Sequence, residues 1–345
     1  MRHVIVSDFD ETITRRDTIS VLARIPYAVK RGLPPWEHFA DAYYANWRQA
    51  HAENQDLRRL PLLACVTATS ATACGTACAT GSAAVAPAPA GITRENFPVL
   101  FREEIEYQRN SRAIELASTV EMAKQGVFRG VSHRDVRGYV ENLKSKSPSK
   151  SGSADAEKDA EEGEGEEQGV EVRDGVFAVI GGAVPRERCY VLSVNWSREF
   201  IHAFVDVPPQ NIYCNRLLSE DGTYTGEFEN EVLCGSDKIA KLHEILDKET
   251  SGSDAGADNT VWYVGDSETD LLPILYPGVN GVLLIDPAAD SEKFEKLAAM
   301  LGLDHAATAA ALQAAPWTRC LEKDPRHGLY LALSWHAIND LIKTY

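Results

Sequence analysis

The sequence lacks the features that would tie it to a membrane or to a disulfide framework. It has no apolar run as long as the roughly 18 residues that a membrane span needs, and the stretch before the acidic residue Asp8 is too short for the apolar part of a signal peptide. The seven cysteines are odd in number and form no CxxC pair, which argues against paired disulfides and a zinc ribbon. We therefore expect a soluble, cytoplasmic protein, although a nuclear protein fits the same observations.

Positive charge is also scarce. Lys and Arg total 35 against 51 Asp and Glu, which gives a formal net charge of −16 at pH 7. This charge repels phosphate backbones, and no basic stretch interleaved with aromatic residues offsets it, so nucleic acid is a poor candidate partner. A small molecule or another protein fits better.

Two segments of low complexity interrupt the chain. The segment over about 62–92 has no charged residue and consists mainly of Ala, Thr, Gly, Ser and Cys, which predicts a flexible insert. Residues 144–171 begin with Ser and Lys, continue with acidic residues and contain no aromatic residue, which predicts a disordered surface insert. An alternative for this acidic insert is a protein-binding segment, or a phosphorylation site at Ser147.

The rest of the chain alternates apolar runs with helical patterns. The apolar runs are Val4–Asp10, Cys189–Asn195, Asn211–Leu217, Val261–Ser267 and Gly281–Asp286. Runs of this kind, separated by helices, indicate a parallel sheet buried on both faces. Helical spacing dominates between the first two runs, and the aromatic stripe Trp36, Phe39, Tyr43 and Trp47 is expected to be core. We also expect helices over 291–303 and 329–345.

Acidic residues follow two of these runs. Asp8, Asp10 and Thr12 lie at alternate positions in DFDET, and Asp266 and Asp270 lie in GDSETD. Open α/β sheets bind ligands where their strands end, and two close carboxylates need a cation or a proton to coexist. Because Mg²⁺ prefers carboxylate and phosphate oxygens, the two motifs together predict a magnesium site. Taken alone, GDSETD is also compatible with an ordinary helix start.

Two further motifs point to an anion. Ser193 and Asn195 follow an apolar run and precede a predicted helix start, so that the Ser193 hydroxyl and neighbouring amides are placed to bind an anion. Lys238 lies in the first turn of a predicted helix, where a cation opposes the helix dipole unless an anion is near. Lys241, one turn further on, is the alternative lysine.

The order and spacing of these four motifs resemble those of the haloacid dehalogenase-like (HAD) hydrolases, in the phosphoserine-phosphatase-like branch. Asp17, Asn215 and the DGTYTGEF hairpin add to the likeness. The resemblance implies an α/β fold with a HAD-type Rossmannoid core and an inserted, mainly helical C1-type cap. The core is expected at 1–16 and 180–345 and the cap at 17–140.

The same resemblance implies a Mg²⁺-dependent phosphatase that acts on a small phosphorylated metabolite through an aspartyl-phosphate. Asp8 would be the nucleophile and Asp10 the general acid and base. Asp8, the main-chain carbonyl of Asp10, and Asp266 would hold the metal. Ser193 and Lys238 would balance charge on the phosphoryl group.

The remaining residues would have supporting roles. Asp270 would orient Lys238 or a metal-bound water, and Thr12 would hold the loop conformation. Val194 and Asn195 stand where phosphoserine phosphatases usually have two glycines, so they alter the floor of the phosphate site and put a phosphoserine substrate in doubt. Candidate cap contacts to the substrate, from position alone, are Tyr107, Arg109 and Arg112.

Two alternatives stay open at this point. One is a phosphomutase on the same fold, and the other is a non-enzymatic regulatory protein that binds a partner through the acidic insert. A dehalogenase is disfavoured because it has no use for Asp10 or for the metal ligand Asp266.

Overall fold

A computed structural model describes residues 2–53, 58–66, 91–146, 169–251 and 259–345. Most of each low-complexity insert, including Ser147, lies outside these ranges.

The centre of the protein is a seven-stranded sheet in the order β3-β2-β1-β6-β7-β9-β8. All neighbouring strands pair in parallel except β8, which is antiparallel to β9. A separate antiparallel hairpin joins β4 and β5. The strands are β1 (Arg2–Ser7), β2 (Cys189–Leu192), β3 (Ile212–Tyr213), β4 (Leu217–Glu220), β5 (Thr223–Phe228), β6 (Asn259–Gly265), β7 (Asn280–Leu284), β8 (Trp317–Glu322) and β9 (Gly328–Ala332).

Helices cover both faces of the sheet and fill most of the described chain between β1 and β2. They are α1 (Ile19–Val29), α2 (Trp36–Glu53), α3 (Phe97–Leu100), α4 (Arg102–Lys124), α5 (His133–Lys146), α6 (Val176–Val179), α7 (Arg198–Val205), α8 (Gly235–Ser251), α9 (Leu271–Leu275), α10 (Ser291–Leu301), α11 (His305–Ala314) and α12 (Trp335–Lys343). Within the described ranges, none of the helices is long and apolar enough to cross a membrane.

Strand β1 shows why its sequence folds as a central strand. Ile5 belongs to the hydrophobic cluster on one side of the sheet, whereas Val4 and Val6 belong to the cluster on the other side. Each of these side chains is fully buried, and burying one stabilises the fold by about 1.5–3 kcal/mol. A strand covered on both faces carries an uninterrupted apolar run, so the α/β class and the mostly parallel sheet expected from the sequence are confirmed.

One expectation about an individual segment is wrong, and another holds only in part. Residues 329–345 were expected to be helical, but their first part forms strand β9 and only α12 is a helix. The run Asn211–Leu217 forms the two-residue strand β3 and then turns into the hairpin. In both segments a short apolar run has no clear period, and neighbouring strands decide its conformation.

Candidate active site

The carboxyl ends of β1, β2 and β6 bring the first, second and fourth motifs to one edge of the sheet. Asp8 follows β1, Ser193 follows β2 and Asp266 follows β6. The backbone N–H of Asp8 donates to the carbonyl of Val264 at 2.9 Å, so the turn after β1 stays tied to β6. All three polar residues are buried.

Lys238 joins the third motif to this edge. It lies in the first turn of α8, its side chain is fully buried, and its Nζ is 3.2 Å from Asp8 Oδ2 and 2.7 Å from Asp270 Oδ1. Lys241 points elsewhere and pairs with the exposed residues Glu231 and Glu244. Of the two candidate lysines, only Lys238 therefore faces the acidic cluster.

Asp270 is held by a dense set of donors. Its Oδ1 also accepts from the Tyr263 hydroxyl at 2.7 Å, and its Oδ2 accepts from the Ser267 hydroxyl at 2.8 Å. A side chain at Gly265 would collide with the Asp270 carboxyl group, so glycine lets the end of β6 close over this residue. These contacts fix the carboxylate that faces Lys238.

The pKa values in the cluster reflect burial and the shared lysine. Burial raises the pKa of Asp270, but the charge of Lys238 and the hydrogen bonds from Lys238, Tyr263 and Ser267 together leave that pKa below its ordinary value. Burial raises the pKa of Asp8 well above its ordinary value; Lys238 opposes this rise, and the neighbouring carboxylates reinforce it. The pKa of Lys238 is raised: burial lowers it, but Asp270 and Asp8 outweigh burial. One lysine thus compensates only part of the negative charge.

The donor set fits a divalent cation. Oxygen atoms of Asp8, Asp266 and Asp270 all lie within 4.8 Å of one another, and Asp8 Oδ1 is buried without a hydrogen-bond partner. Hard cations such as Mg²⁺ bind such carboxylate oxygens. Asp266 is already engaged, since Thr12 donates to its Oδ1 and Lys293 Nζ lies 2.5 Å from its Oδ2. The three carboxylates and Thr12 therefore form one connected cluster.

Asp10 is held by Thr18 and by Asn195 of the second motif. It lies in the turn beyond the end of β1 rather than on an extended strand with Asp8, and the next residue, Glu11, has a φ of 56°. Its Oδ1 accepts from the Thr18 backbone N–H at 2.8 Å, and its Oδ2 accepts from Asn195 Nδ2 at 2.9 Å. Burial is the main cause that raises the pKa of Asp10 to about 6, and the charge of Asp17 adds to it.

The three residues of the second motif have different surroundings. Ser193 Oγ accepts from the backbone N–H of Asn195 at 3.2 Å, and Val194 lines a cavity under the helices that precede β2. Asn195 orients Asp10, which differs from its expected effect on the phosphate floor. Asn215 is fully buried, and neither polar atom of its side chain has a partner among the described residues. An amide in this state is suited to a polar ligand.

A cavity of about 280 Å³ lies between α2, α4 and the loop after β2; we call it the cap cavity. Asp17 and Glu115 contribute its two carboxylates. Its aromatic walls are Trp36, Phe39, Tyr43, Tyr44 and Trp196. Of the stripe expected to be core, only Phe39 is buried, whereas Trp36 and Tyr43 line the cavity half-buried and Trp47 is exposed. The core interpretation therefore holds for Phe39 and for Trp36, which packs against the core, and is wrong for Tyr43 and Trp47.

Arg58 connects α4 to the fourth motif. Its guanidinium pairs with Glu104 of α4 at 2.9 Å and with Glu268 in the turn after β6, and its side chain is only 8% exposed. The guanidinium carbon of Arg58 lies over the Tyr107 ring, 4.7 Å from the ring centroid. The two arginines proposed as cap contacts turn away from the cap cavity, since Arg109 pairs with Glu106 and Arg112 with Asp237.

Several residues of the site were not predicted from the sequence. Thr18 holds Asp10, Tyr263 holds Asp270, and Trp335 Nε1 donates to the carbonyl of Thr12 at 2.8 Å. Only Tyr263 gave a signal, because a buried tyrosine inside an apolar strand needs a partner for its hydroxyl. Lys293 and Glu115 lie in helices that carry no motif.

The chain is similar to a known protein along almost its whole length. Cold tolerance protein 1 of Saccharomyces cerevisiae is 35% identical over an alignment 356 residues long, which covers 99% of this chain and 98% of that protein. No family model matches the chain.

Solved structures of similar fold are more distant. A phospho-aspartyl intermediate analogue of phosphoserine phosphatase is 14% identical, with a TM-score of 0.37, over 85% of this chain and 91% of that chain. A HAD family hydrolase from Salmonella enterica serovar Typhi is 9% identical, with a TM-score of 0.37, over 84% of this chain and 65% of that chain. At such low similarity, neither structure decides the activity or the substrate.

Proposed function

We propose that this chain, which belongs to the family of Cold tolerance protein 1 of Saccharomyces cerevisiae, is a HAD-type phosphatase that hydrolyses a small phosphate monoester in a Mg²⁺-dependent reaction. One observation carries the proposal. Lys238 Nζ lies between Asp8 and Asp270 at 3.2 and 2.7 Å, while the second oxygen of Asp8 is buried without a partner. This arrangement suits a nucleophilic oxygen that no hydrogen bond occupies, beside a fixed positive charge.

The chain supplies a nucleophile and a proton carrier. A carboxylate oxygen of Asp8 forms a bond to phosphorus while the bond from phosphorus to the ester oxygen breaks, and Asp10 gives its proton to the departing alcohol. A water molecule then attacks phosphorus, Asp10 takes a proton from that water, and the bond to Asp8 breaks to release phosphate. The pKa of Asp10, about 6, allows it to both give and take a proton near neutral pH.

Other residues hold this geometry. Asn195 and Thr18 keep the Asp10 carboxyl group oriented, and Asp270 positions Lys238 against the phosphoryl oxygens. Asp8, Asp266 and the main-chain carbonyl of Asp10 would hold Mg²⁺, which supplies positive charge that offsets the repulsion between a phosphate dianion and a carboxylate. The unpartnered amide of Asn215 is available to the phosphate as well.

The proposal is tested by phosphate release from para-nitrophenyl phosphate and a panel of metabolite esters, with Mg²⁺ and with EDTA. Wild-type protein should release phosphate only with the metal. Asp8→Asn should be inactive, and Asp340→Asn, at an exposed aspartate of α12, is the matched control and should retain activity. Mass spectrometry of trapped protein should find the phosphoryl group on Asp8.

Other outcomes identify the alternatives. Folded wild-type protein that releases no phosphate from any ester would overturn the proposal. An isomerised sugar phosphate in place of free phosphate would indicate a mutase. A biological function that Asp8→Asn restores as well as wild type would indicate a non-enzymatic role.

A further inference from the structure

The cap cavity opens beside the residue that would protonate the leaving alcohol. Val194 and Trp196, which line it, flank Asn195, and Asn195 donates to Asp10. Asp17 at its rim precedes Thr18, which also donates to Asp10. The alcohol part of the substrate leaves toward Asp10, so the cap cavity lies where that part has to be bound.

The cavity carries negative charge that the protein does not neutralise. Among the described residues that line it, Asp17 and Glu115 are the charged ones, and none is Lys, Arg or His. Glu115 Oε1 accepts from the Tyr43 hydroxyl at 2.7 Å, and Asp17 Oδ1 accepts from the Ile19 backbone N–H at 2.6 Å. Among the described residues, neither carboxylate has a basic side chain within ion-pair distance, in contrast to Asp8 and Asp270.

Burial and the charge of Asp17 make Glu115 an unfavourable anion in the free protein. Burial raises the pKa of Glu115 to about 7; the hydrogen bond from Tyr43 opposes the rise, and Asp17 adds to it. A bound cation would relieve both effects. The aromatic walls favour the same ligand, since cations are attracted to the faces of Trp and Tyr rings.

We infer that the cap cavity binds a cationic amino or quaternary ammonium group, so that the substrate is the phosphate monoester of a cationic alcohol. As a statement about substrate, the inference rests on the proposed function; as a statement about binding, it does not. If the ligand also carried a carboxylate, that group would find no basic partner among the described residues of the cavity, because Arg109 and Arg112 pair elsewhere. An ester such as phosphoserine is therefore disfavoured.

Binding is measured first, in EDTA and without phosphate, so that it does not depend on catalysis. Choline and its neutral isostere 3,3-dimethylbutanol are titrated against tryptophan fluorescence, to which Trp36 and Trp196 in the cavity walls contribute. Choline should bind at least about tenfold more tightly, the ratio that a modest cation–aromatic and charge attraction produces. Equal affinity for the two ligands would overturn the inference.

A pair of variants locates the charge. Glu115→Gln keeps the size and the acceptor for Tyr43 and should remove most of the preference for choline. Glu106→Gln, at an exposed glutamate of the same helix, should leave it unchanged. If Glu115→Gln kept the full preference, the assigned site would be wrong, and the wild-type ratio decides the question even if that variant does not fold.

Hydrolysis then separates this inference from the proposed function. With Mg²⁺, phosphocholine and phosphoethanolamine should have kcat/KM values at least about tenfold above those of 3,3-dimethylbutyl phosphate and phosphoserine, and their ratio distinguishes a quaternary from a primary ammonium group. Equal hydrolysis of all four esters would overturn the inference and leave the phosphatase intact. Selective binding of choline without hydrolysis of any ester would support the binding inference and overturn the proposed phosphatase function.

Discussion

The buried cluster of Asp8, Asp266 and Asp270 and the cap cavity are both acidic, but their negative charge has different partners. In the cluster, Lys238 lies against two carboxylates and Tyr263 donates to one of them. In the cap cavity, Asp17 and Glu115 receive hydrogen bonds but no basic partner among the described residues. A preorganised charge network suits a reaction that any phosphate ester can undergo, whereas uncompensated charge suits selection of one kind of ligand.

The strongest test of this contrast removes the compensating lysine. Lys238→Met leaves Asp8 and Asp270 buried without their cation, and we expect a loss of activity of about 10³-fold and a loss of about 3–5 kcal/mol in the free energy of unfolding. Lys241→Met, one turn along the same helix, removes only surface pairs and should change little. Urea unfolding and phosphate release measure both effects, and equal losses in the two variants would contradict the assignment.

The next test concerns metal binding to the same cluster. Saturating Mg²⁺ at about 100 times its dissociation constant should stabilise the wild-type protein by about 2.7 kcal/mol. Asp266→Asn should lose most of this stabilisation because it removes a charged oxygen of the cluster. Thermal unfolding with Mg²⁺ and with matched NaCl measures the difference, with Asp340→Asn as the surface control. A shift of the same size in Asp266→Asn would exclude this carboxylate as a ligand.

A smaller effect is expected at the border between the two regions. Arg58→Lys replaces a two-pronged contact to Glu104 by a single charge, so it should cost about 1–2 kcal/mol in unfolding free energy. It should also raise KM more than it lowers kcat, because α4 carries Glu115 of the cap cavity. Arg59→Lys is the matched control, since its side chain is 80% exposed. Identical values of KM and stability for the two variants would show that Arg58 does not link α4 to the fourth motif.

The smallest effect is a pH dependence of stability from the cap cavity. The pKa of Glu115 is about 7 in the folded protein against 4.5 ordinarily, so between these values the folded state holds the extra proton and stability falls as pH rises. Glu115→Gln removes this fall and should be more stable than wild type by about 1 kcal/mol at pH 8, with a smaller difference at pH 5. Urea unfolding at the two pH values, with Glu106→Gln beside it, measures the change. A difference independent of pH would show that Glu115 is not the titrating group.

The buried cluster of Asp8, Asp266 and Asp270 could be predicted from the sequence for a physical reason. Asp8 and Asp266 each follow an apolar run, and the carboxyl ends of parallel strands meet at one edge, so spacing along the chain translates into proximity. Lys238 was recognisable because a cation in the first turn of a helix needs an anion. Whether the domain boundaries fall where the motifs suggested stays a prediction.

The cap cavity was not readable in the same way. Trp36, Phe39, Tyr43 and Trp47 repeat with helical spacing, and spacing alone does not tell an aromatic wall of a cavity from a core. Glu115 is one acidic residue among many on α4, and only the approach of α2 and its Tyr43 distinguishes it. Strand β9 escaped for a related reason, since five buried residues fit a buried strand and a buried helix equally.

The hydrogen bond from Trp335 to the carbonyl of Thr12 has a consequence for the order of events during synthesis. Trp335 and Thr12 are 323 positions apart. The Trp335 indole, which anchors the turn after Asp8, is fully buried. During synthesis, the turn that contains Thr12 precedes its anchor by 323 residues and stays without it until α12 has emerged from the ribosome. The nascent protein therefore carries all four motifs before the turn that bears Asp10 and Thr12 is anchored by Trp335.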